Sequence, residues 1–576
     1  MLETFPNLVT MFFARAEAKG DAPFLWHKPA ASEGDAKAEW QPLSWADAAR
    51  QVAALAQAIE AMGLSKGDRI VLVSENRPEW CIADLAIMAA GCVTVPAYIT
   101  NTERDHGHIL DDSGACAVIV STPKLARALL PALARSGCER LIAIEPLEQA
   151  RIGAIKVFDW ARLIAEHPAD VAACAARQTA GREDLACIIY TSGTGGAPRG
   201  VRQHHGAILR NVAGCITIIE EDFPRTEQEI FLSLLPLSHA YEHSGGQYLP
   251  IGLGGQIYYA ESIEKLAANI EEVRPTIMVV VPRLFELLRA RILKAIEKQG
   301  GLSQWLLDKA LALHAKEEKG LADKPLDLLL GATIRPKIAK RFGGRLKALV
   351  SGGAPLNPQV GGFFSALGVT LLQGYGQTEA APVIACNRPR AGIRMDTVGP
   401  PLEGVEVRIA EDGEILVRGE NVMHGYWRNA GESARVLKDG WLHTGDIGRL
   451  DEAGRLIITD RKKDIIVNDK GDNIAPQRIE GMLTLQPEIM QAAIFGDRRP
   501  YLVGLIVPEA GVDDASVAMA IDRVNAGLSV TERVRRFLTA DEPFTTDNGE
   551  MTPSLKIRRH VVRERYGARL DGLYKS

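Results

Sequence analysis

Apolar positions in the first quarter of the chain recur at two alternating spacings. After Ser44, the residues Val52, Leu55, Ala56, Ile59 and Met62 fall on one face of a helix. Ser44 and Asp47 are set as a capping box at its start, and Gly63 stops it. Gly67-Asp68 leads into a short apolar run at 70–73 that predicts a buried strand. A helix at about 80–90 and a strand at 92–95 follow, and the same signals return at 117–120 and 141–144. Helix alternating with buried strand predicts α/β layering with parallel strands. Residues 145–183 read as a less regular, Ala-rich approach to the next element. Runs at 231–235 and 275–281, each closed by a proline, predict further buried strands. Between 287 and 342 the pattern becomes amphipathic helices rich in Lys and Arg, and strands return at 491–496 and 501–508.

Length and composition narrow this picture. A chain of 576 residues exceeds one ordinary core, so two or more domains are expected. The content is 46% hydrophobic and 24% charged, the make-up of a soluble globular protein. A net charge of −5 argues against a general nucleic-acid binder, so any anion must be met by local charge. The eight cysteines form no Cys-x-x-Cys pair and read as free thiols in a reducing, cytoplasmic setting. No basic n-region precedes an apolar stretch at the N-terminus, so no secretory signal is expected. The most membrane-like window, 81–99, is interrupted by Asp84 and Pro96 and reads as a buried helix and strand. The basic helical faces of 287–342 leave two readings, a solvated surface or loose peripheral attachment at the inner face of an anionic membrane.

The chemistry concentrates at 188–201, Ile-Ile-Tyr-Thr-Ser-Gly-Thr-Gly-Gly-Ala-Pro-Arg-Gly-Val. Thr191, Ser192 and Thr194 offer hydroxyls, Gly193 and its neighbouring glycines let backbone N–H groups close on an anion, and Arg199 adds a fixed charge. The P-loop pattern fails because Gly200 is followed by Val201, and the dinucleotide pattern fails because Pro198 follows the glycines. A glycine-rich stretch alone also reads as a flexible surface loop. Further on, His239 and His243 are spaced i,i+4, but Ala240 stands where a zinc protease motif carries its glutamate and no third ligand is evident. Ser351-Gly-Gly-Ala-Pro355 ends a strand in a turn where Gly353 and Ala354 let backbone approach a base or phosphate. Gln373-Gly374-Tyr375-Gly-Gln-Thr378-Glu379 offers an aromatic face, a hydroxyl and a carboxylate suited to a hard cation. Asp446 follows a turn and suits two vicinal hydroxyls. The charged run Asp460-Arg461-Lys462-Lys463-Asp464, between two apolar runs, suits a solvated hinge.

In this order the motifs resemble those of the AMP-forming acyl-CoA synthetases of the adenylate-forming superfamily, over about residues 10–565. The phosphate loop departs from the usual form at Gly195, where threonine is common, and at Arg199, where lysine is. The helical region before Ser351 and the ending Thr-Pro-Ser-Leu-Lys556 resemble the long-chain fatty acid–CoA ligase branch. The resemblance implies a large N-terminal domain of layered α/β subdomains at 1–460 and a small mobile α+β C-terminal domain at 461–576, turning about Lys463. It implies ATP and AMP contacts from Thr191, Ser192, Gly193, Thr194, Arg199, Gly353, Ala354, Gln373, Gly374, Tyr375, Thr378, Asp446 and Arg461. Magnesium would sit on Thr191 and Glu379, catalysis would involve Lys556, Glu379 and Thr378, and His239, Ala240 and Tyr241 would border the acyl pocket. Coenzyme A would pass Lys470 and Gly471, where Lys470 replaces a common glycine and Asp472 a common lysine. Lys470 there either pairs with a phosphate of coenzyme A or narrows its tunnel. The implied reaction joins a fatty acid to coenzyme A through an acyl-adenylate. An acyl-AMP ligase that loads a carrier protein, and a ligase for aryl or medium-chain acids, stay open, as does a nucleotide binder without chemistry.

Overall fold

The computed structural model describes all residues except 1, 30–37, 169, 192–197, 317–319, 471, 553–556 and 576. Two eight-stranded sheets form most of the N-terminal part. One runs, in spatial order, Val383–Cys386, Leu371–Gly376, Ala348–Ser351, Ile277–Val280, Ile230–Ser233, Gln256–Tyr259, Pro23–His27 and Gln41–Ser44. Its inner strands are parallel and only the two edges are antiparallel. The other runs Arg199–His204, Leu185–Thr191, Val93–Ala97, Arg69–Val73, Ala117–Val120, Arg140–Ala143, Ile155–Asp159 and Arg151–Ile152, again parallel inside.

The helix Pro78–Ala89 lies between these sheets and joins one core cluster containing Ile70 and Ile119 of one sheet and Phe231 and Ile257 of the other. It is apolar all round because it is covered all round, and for that reason the sequence window resembled a membrane span. Among the described residues no helix is long and apolar enough to cross a membrane. Of its two carboxylates, Glu79 stands in the first turn and Asp84 is fully buried. Asp84 Oδ2 accepts from Tyr248 OH at 2.6 Å and Gln247 Nε2 at 2.8 Å, and meets His243 Nε2 at 2.9 Å. The histidine spaced for a metal therefore serves to satisfy a buried acid.

The helix predicted after Ser44 is Trp45–Ala61, and Ser44 Oγ accepts from Asp47 N at 3.0 Å. The region read as irregular, 145–183, instead holds two short strands and the helices Trp160–Glu166 and Val171–Ala176, capped by Asp159 and Asp170. These elements are too short for a period to register in the sequence. A five-stranded antiparallel sheet, Glu406–Ile409, Glu414–Arg418, Trp441–Leu450, Leu437–Lys438 and Leu456–Arg461, completes the N-terminal part. Beyond it stands a smaller unit, the sheet Ile489–Phe495, Leu502–Pro508 and Val534–Thr539 with helices Pro476–Leu483, Asp514–Asn525 and Arg559–Gly572. All eight cysteines are free.

Candidate functional site

The strands Leu185–Thr191 and Arg199–His204 pair antiparallel, with Thr191 opposite Arg199 at the mouth of their connection. Ser192, Gly193 and Thr194 lie outside the described residues. Gly200 lets the segment Tyr426-Trp427 pass closely: a Cβ there would stand 2.7 Å from Ile188 Cγ2 and 3.2 Å from Trp427 Cβ, and Trp427 N donates to Gly200 O at 2.7 Å.

That close passage builds a row of contacts that sequence reasoning did not find. Arg199 donates from Nη1 to Glu432 Oε2 at 2.8 Å, and its guanidinium lies 4.5 Å from the centroid of the Tyr426 ring. Tyr426 OH donates to Glu379 Oε1 at 2.8 Å. Burial, and then the Glu379 charge, push the Tyr426 phenol well up, so it remains a donor. The predicted cation ligand Glu379 is thus linked to the loop strand through two side chains. Its backbone is fixed by Met423 N, which donates to Glu379 O at 2.9 Å, and the adjacent Thr378 O accepts from Gln203 Nε2 at 2.7 Å. Among the described residues Glu379 Oε2 accepts from no donor, leaving one carboxylate oxygen for a hard cation such as Mg²⁺.

A second constellation stands at the strand Leu371–Gly376. Tyr375 OH donates to Asp446 Oδ2 at 2.6 Å and Arg461 Nε donates to Asp446 Oδ1 at 3.0 Å, so three predicted nucleotide residues meet at one carboxylate. Asp446 and Arg461 face each other across paired strands. Burial and then the Asp446 charge push the Tyr375 phenol well up, and Asp446 raises the Arg461 guanidinium. Ser351 pairs with Gln373 in parallel register, and Ser351 Oγ, Gln373 Oε1 and Gln377 Nε2 are buried with no partner among the described residues. Each orphaned buried polar atom costs about 1–3 kcal/mol, so three in one neighbourhood fit a polar ligand received there. Gly353 adopts φ +83°, the left-handed region, in the turn that follows, and Ala354 beyond it is exposed. Gly374 sits in ordinary contact with its neighbours; a Cβ there would meet Ala385 O at 3.5 Å.

Tyr241 joins this turn to the segment after strand Ile230–Ser233. Its OH donates to Val350 O at 3.0 Å, and its ring covers Gly352, where a Cβ would lie 2.7 Å from Cζ. His239 Nδ1 accepts from Tyr241 N at 3.2 Å, and Ala240 and Tyr241 are buried. Glu242, which sequence reasoning passed over, is 1% exposed. Its Oε1 accepts from Ser233 Oγ at 2.6 Å and its Oε2 has no partner among the described residues. Burial pushes this carboxyl up to about 8.

The charged run at 460–464 departs from the expectation of a solvated cluster. Asp460 is buried, and burial, with Asp464 and Glu480 nearby, pushes its carboxyl up to about 6. Arg461 binds Asp446, and Lys462 Nζ meets Asp412 Oδ2 at 2.6 Å and Glu414 Oε2 at 3.1 Å. Lys463 is exposed and lines a cleft of about 940 Å³ shared with Arg199, Glu432, Arg499, Arg559 and Arg563, which brings cations of the C-terminal unit opposite the loop strand. Lys470 is exposed, its N donating to Asn468 Oδ1 at 2.9 Å. Gly471 and Lys556 lie outside the described residues.

Comparison with known proteins bears on the whole chain. The AMP-binding enzyme family profile matches residues 12–427, and the AMP-binding enzyme C-terminal domain profile matches 463–576. The long-chain-fatty-acid–CoA ligase FadD15 of Mycobacterium bovis is 32% identical over 571 residues, covering 93% of each chain. Among solved structures, the adenylation domain of a carboxylic acid reductase from Segniliparus rugosus, in complex with AMP and a co-purified carboxylic acid, superposes with TM-score 0.78 at 21% identity, covering 99% of this chain and 94% of that one. The O-succinylbenzoate coenzyme A synthetase of Bacillus subtilis, in complex with AMP, superposes with TM-score 0.71 at 20% identity over 96% and 98%. With both profiles matched in order and a relative aligned over nearly its full length, the chain belongs to the AMP-binding enzyme family.

Proposed function

We propose that this protein uses ATP to activate a long-chain fatty acid as its acyl-adenylate and transfers the acyl group to coenzyme A, releasing pyrophosphate and then AMP. The observation that carries the reading is the meeting of Tyr375, Asp446 and Arg461 beside the orphaned Ser351 and Gln373, in a chain whose relatives include long-chain-fatty-acid–CoA ligases. A carboxylate is a poor acyl donor because its leaving group is oxide. Attack of the substrate carboxylate on the α-phosphate of ATP expels pyrophosphate and leaves AMP as a good leaving group. The thiol of coenzyme A then attacks the acyl carbon, and AMP departs.

Catalysis of this kind is positioning plus stabilisation of charge on phosphate oxygens. Asp446 would accept from the ribose hydroxyls while Tyr375 presents its ring to the adenine. Thr191, Arg199 and the loop between them would meet the phosphates, and Lys556 would bridge carboxylate and α-phosphate. Mg²⁺ held by Glu379 and Thr191 would supply further charge neutralisation there. Tyr241, seated on Gly352, would place the acyl pocket beside the same turn. The C-terminal unit would turn about Lys463: Arg461 and Lys462 are tied to the N-terminal part, and Lys463 is the first cation of the run with an exposed side chain and no acid bound among the described residues.

Pyrophosphate release is measured with Mg-ATP and acids from acetate to palmitate, with and without coenzyme A. Turnover that rises with chain length and requires coenzyme A is expected. Release indifferent to coenzyme A, with the adenylate retained, refutes the thioester step in favour of carrier loading. The Lys556→Ala variant loses pyrophosphate release; activity within a few-fold of the parent refutes its role.

A further inference from the structure

The strand Trp441–Leu450 does not run evenly beside its neighbour Glu414–Arg418. Leu416 faces His443 and Glu414 faces Ile447, so two steps along one strand match four along the other. The surplus forms a bulge at Thr444, Gly445 and Asp446, and bulges re-aim the side chains they carry. Gly445 takes φ +73°, in the left-handed region. From this bulge Asp446 reaches both Tyr375 and Arg461.

Side chains hold the bulge where the regular ladder lapses. Thr444 Oγ1 donates to Ile415 O at 2.7 Å and accepts from Asp446 N at 3.1 Å. Glu414, 7% exposed, makes three further contacts. Its Oε1 accepts from Gly445 N at 2.9 Å, while Oε2 meets Lys462 Nζ at 3.1 Å and His443 Nδ1 at 3.3 Å. The other side of Gly445 is fixed as well, since its O accepts from Lys462 N at 2.8 Å. Burial works against the charge on Glu414, yet the Gly445 N–H, Lys462 and His443 together outweigh it and hold the carboxyl below its ordinary value. A strand needs no acid at its first position. This one is explained by what it grips: the backbone amide just before Asp446 and the lysine just before Lys463.

We propose that Glu414 is a positioning residue for the nucleotide: its carboxylate sets the bulge from which Asp446 receives the ribose hydroxyls. This role rests on the assignment of Asp446 to the ribose. Tyr375 and Arg461 each hold one oxygen of Asp446 and so fix its side chain, whereas Glu414 fixes the backbone beneath it. Hydrogen bonds to a charged acceptor are short and directional, so a displaced carboxylate forfeits most of their worth. Glu414 therefore acts on the ligand only through Asp446 and the two hydroxyls. A mere brace of the sheet would weaken every nucleotide contact alike, or none.

The decisive ligand lacks those hydroxyls. AMP and its 2′,3′-dideoxy analogue are titrated into the full-length protein by calorimetry, without turnover. The parent is expected to prefer AMP by at least about tenfold, the worth of one hydrogen bond to a charged group. Glu414→Ala is expected to bring that preference below about threefold by weakening AMP alone, with the dideoxy nucleotide bound as in the parent. Glu414→Gln keeps an acceptor for Gly445 N and leaves Lys462 to Asp412, so its preference stays within about twofold of the parent's. Glu414→Asp keeps the charge but is one methylene too short for Gly445 N, and its preference falls as for alanine. The contrast between glutamine and aspartate stands whether or not the alanine variant folds, which urea unfolding reports. A parent with no preference for AMP refutes the ribose assignment of Asp446, and the proposal with it. A parent that prefers AMP overturns the role of Glu414 alone if Glu414→Asp retains that preference, if Glu414→Gln loses it, or if the variants weaken both nucleotides alike.

Discussion

Glu242→Gln tests the buried acid beside Tyr241. The carboxyl is 1% exposed, accepts from Ser233 Oγ at Oε1, has no partner at Oε2 among the described residues, and burial pushes it up to about 8. A carboxyl that holds its proton more tightly when folded favours the native state in acid and loses that contribution as pH rises from about 4.5 toward 8. One pKa unit corresponds to about 1.4 kcal/mol. Between about pH 6 and pH 8 the parent therefore loses about 2 kcal/mol that the variant, which has no proton to release, keeps. Urea unfolding of both proteins is followed by tryptophan fluorescence from about pH 4 to about pH 8. Trp80, whose ring centroid lies 5.6 Å from that of His243, reports on the same core. Taking parent minus variant at each pH removes the contribution of every other titrating group. Near pH 4 the two should agree to within about 1 kcal/mol, since glutamine copies the neutral acid in shape, and by about pH 6 the parent should already trail by about 2 kcal/mol. A difference that stays flat with pH, or that grows in favour of the parent in alkali, refutes a neutral Glu242.

Three further substitutions probe the nucleotide and acyl sides. Asp446→Asn removes the charged acceptor shared by Tyr375 and Arg461 and should raise the KM for ATP by about 10–150-fold, the worth of a charge-assisted hydrogen bond of about 1.5–3 kcal/mol; titrating ATP in the pyrophosphate assay checks it, and a change under threefold counts against the ribose assignment. Tyr426→Phe keeps the ring under Arg199 but strips the donor from Glu379, and is expected to lower stability by about 1–3 kcal/mol in urea unfolding and to lower kcat/KM as well. Gly352→Ala places a Cβ 2.7 Å from Tyr241 Cζ and must displace that ring. Overpacking of this kind costs about 1–3 kcal/mol. If Tyr241 borders the acyl pocket, the KM profile across fatty acids of different length shifts; an unchanged profile places the pocket elsewhere.

The sequence was most informative where structure is made locally. The Ser44 cap, the strand Ala117–Val120 and the helix between the sheets were all legible because caps and buried runs are written in adjacent residues. The site was legible as a set of motifs, and the structure brings Tyr375, Asp446 and Arg461 to within hydrogen-bond distance. What stayed hidden depends on contacts between distant segments. Tyr426 carries no periodic or motif signal and matters only because Gly200 lets its segment approach. Glu242 looked like one more polar residue after a histidine, and its burial follows from packing that no window of sequence contains. The run at 460–464 was read as solvated from its charge alone, whereas Asp460 is buried and its neighbours are anchored. Short capped elements at 151–176 fell below the length at which periodicity can be counted.

The helix between the sheets also bears on synthesis. Pro78–Ala89 buries every residue but Glu79, yet the second sheet that covers it is completed only by the strands Leu371–Gly376 and Val383–Cys386. At about 5–20 residues per second, a ribosome needs roughly 15–60 seconds to translate the intervening chain. Throughout that interval the nascent polypeptide carries a segment whose only charged residues are Glu79 and Asp84, with half its cover missing. Chaperone occupancy on ribosome-bound chains should therefore rise once this helix leaves the exit tunnel and fall after the strand at Val383–Cys386 emerges.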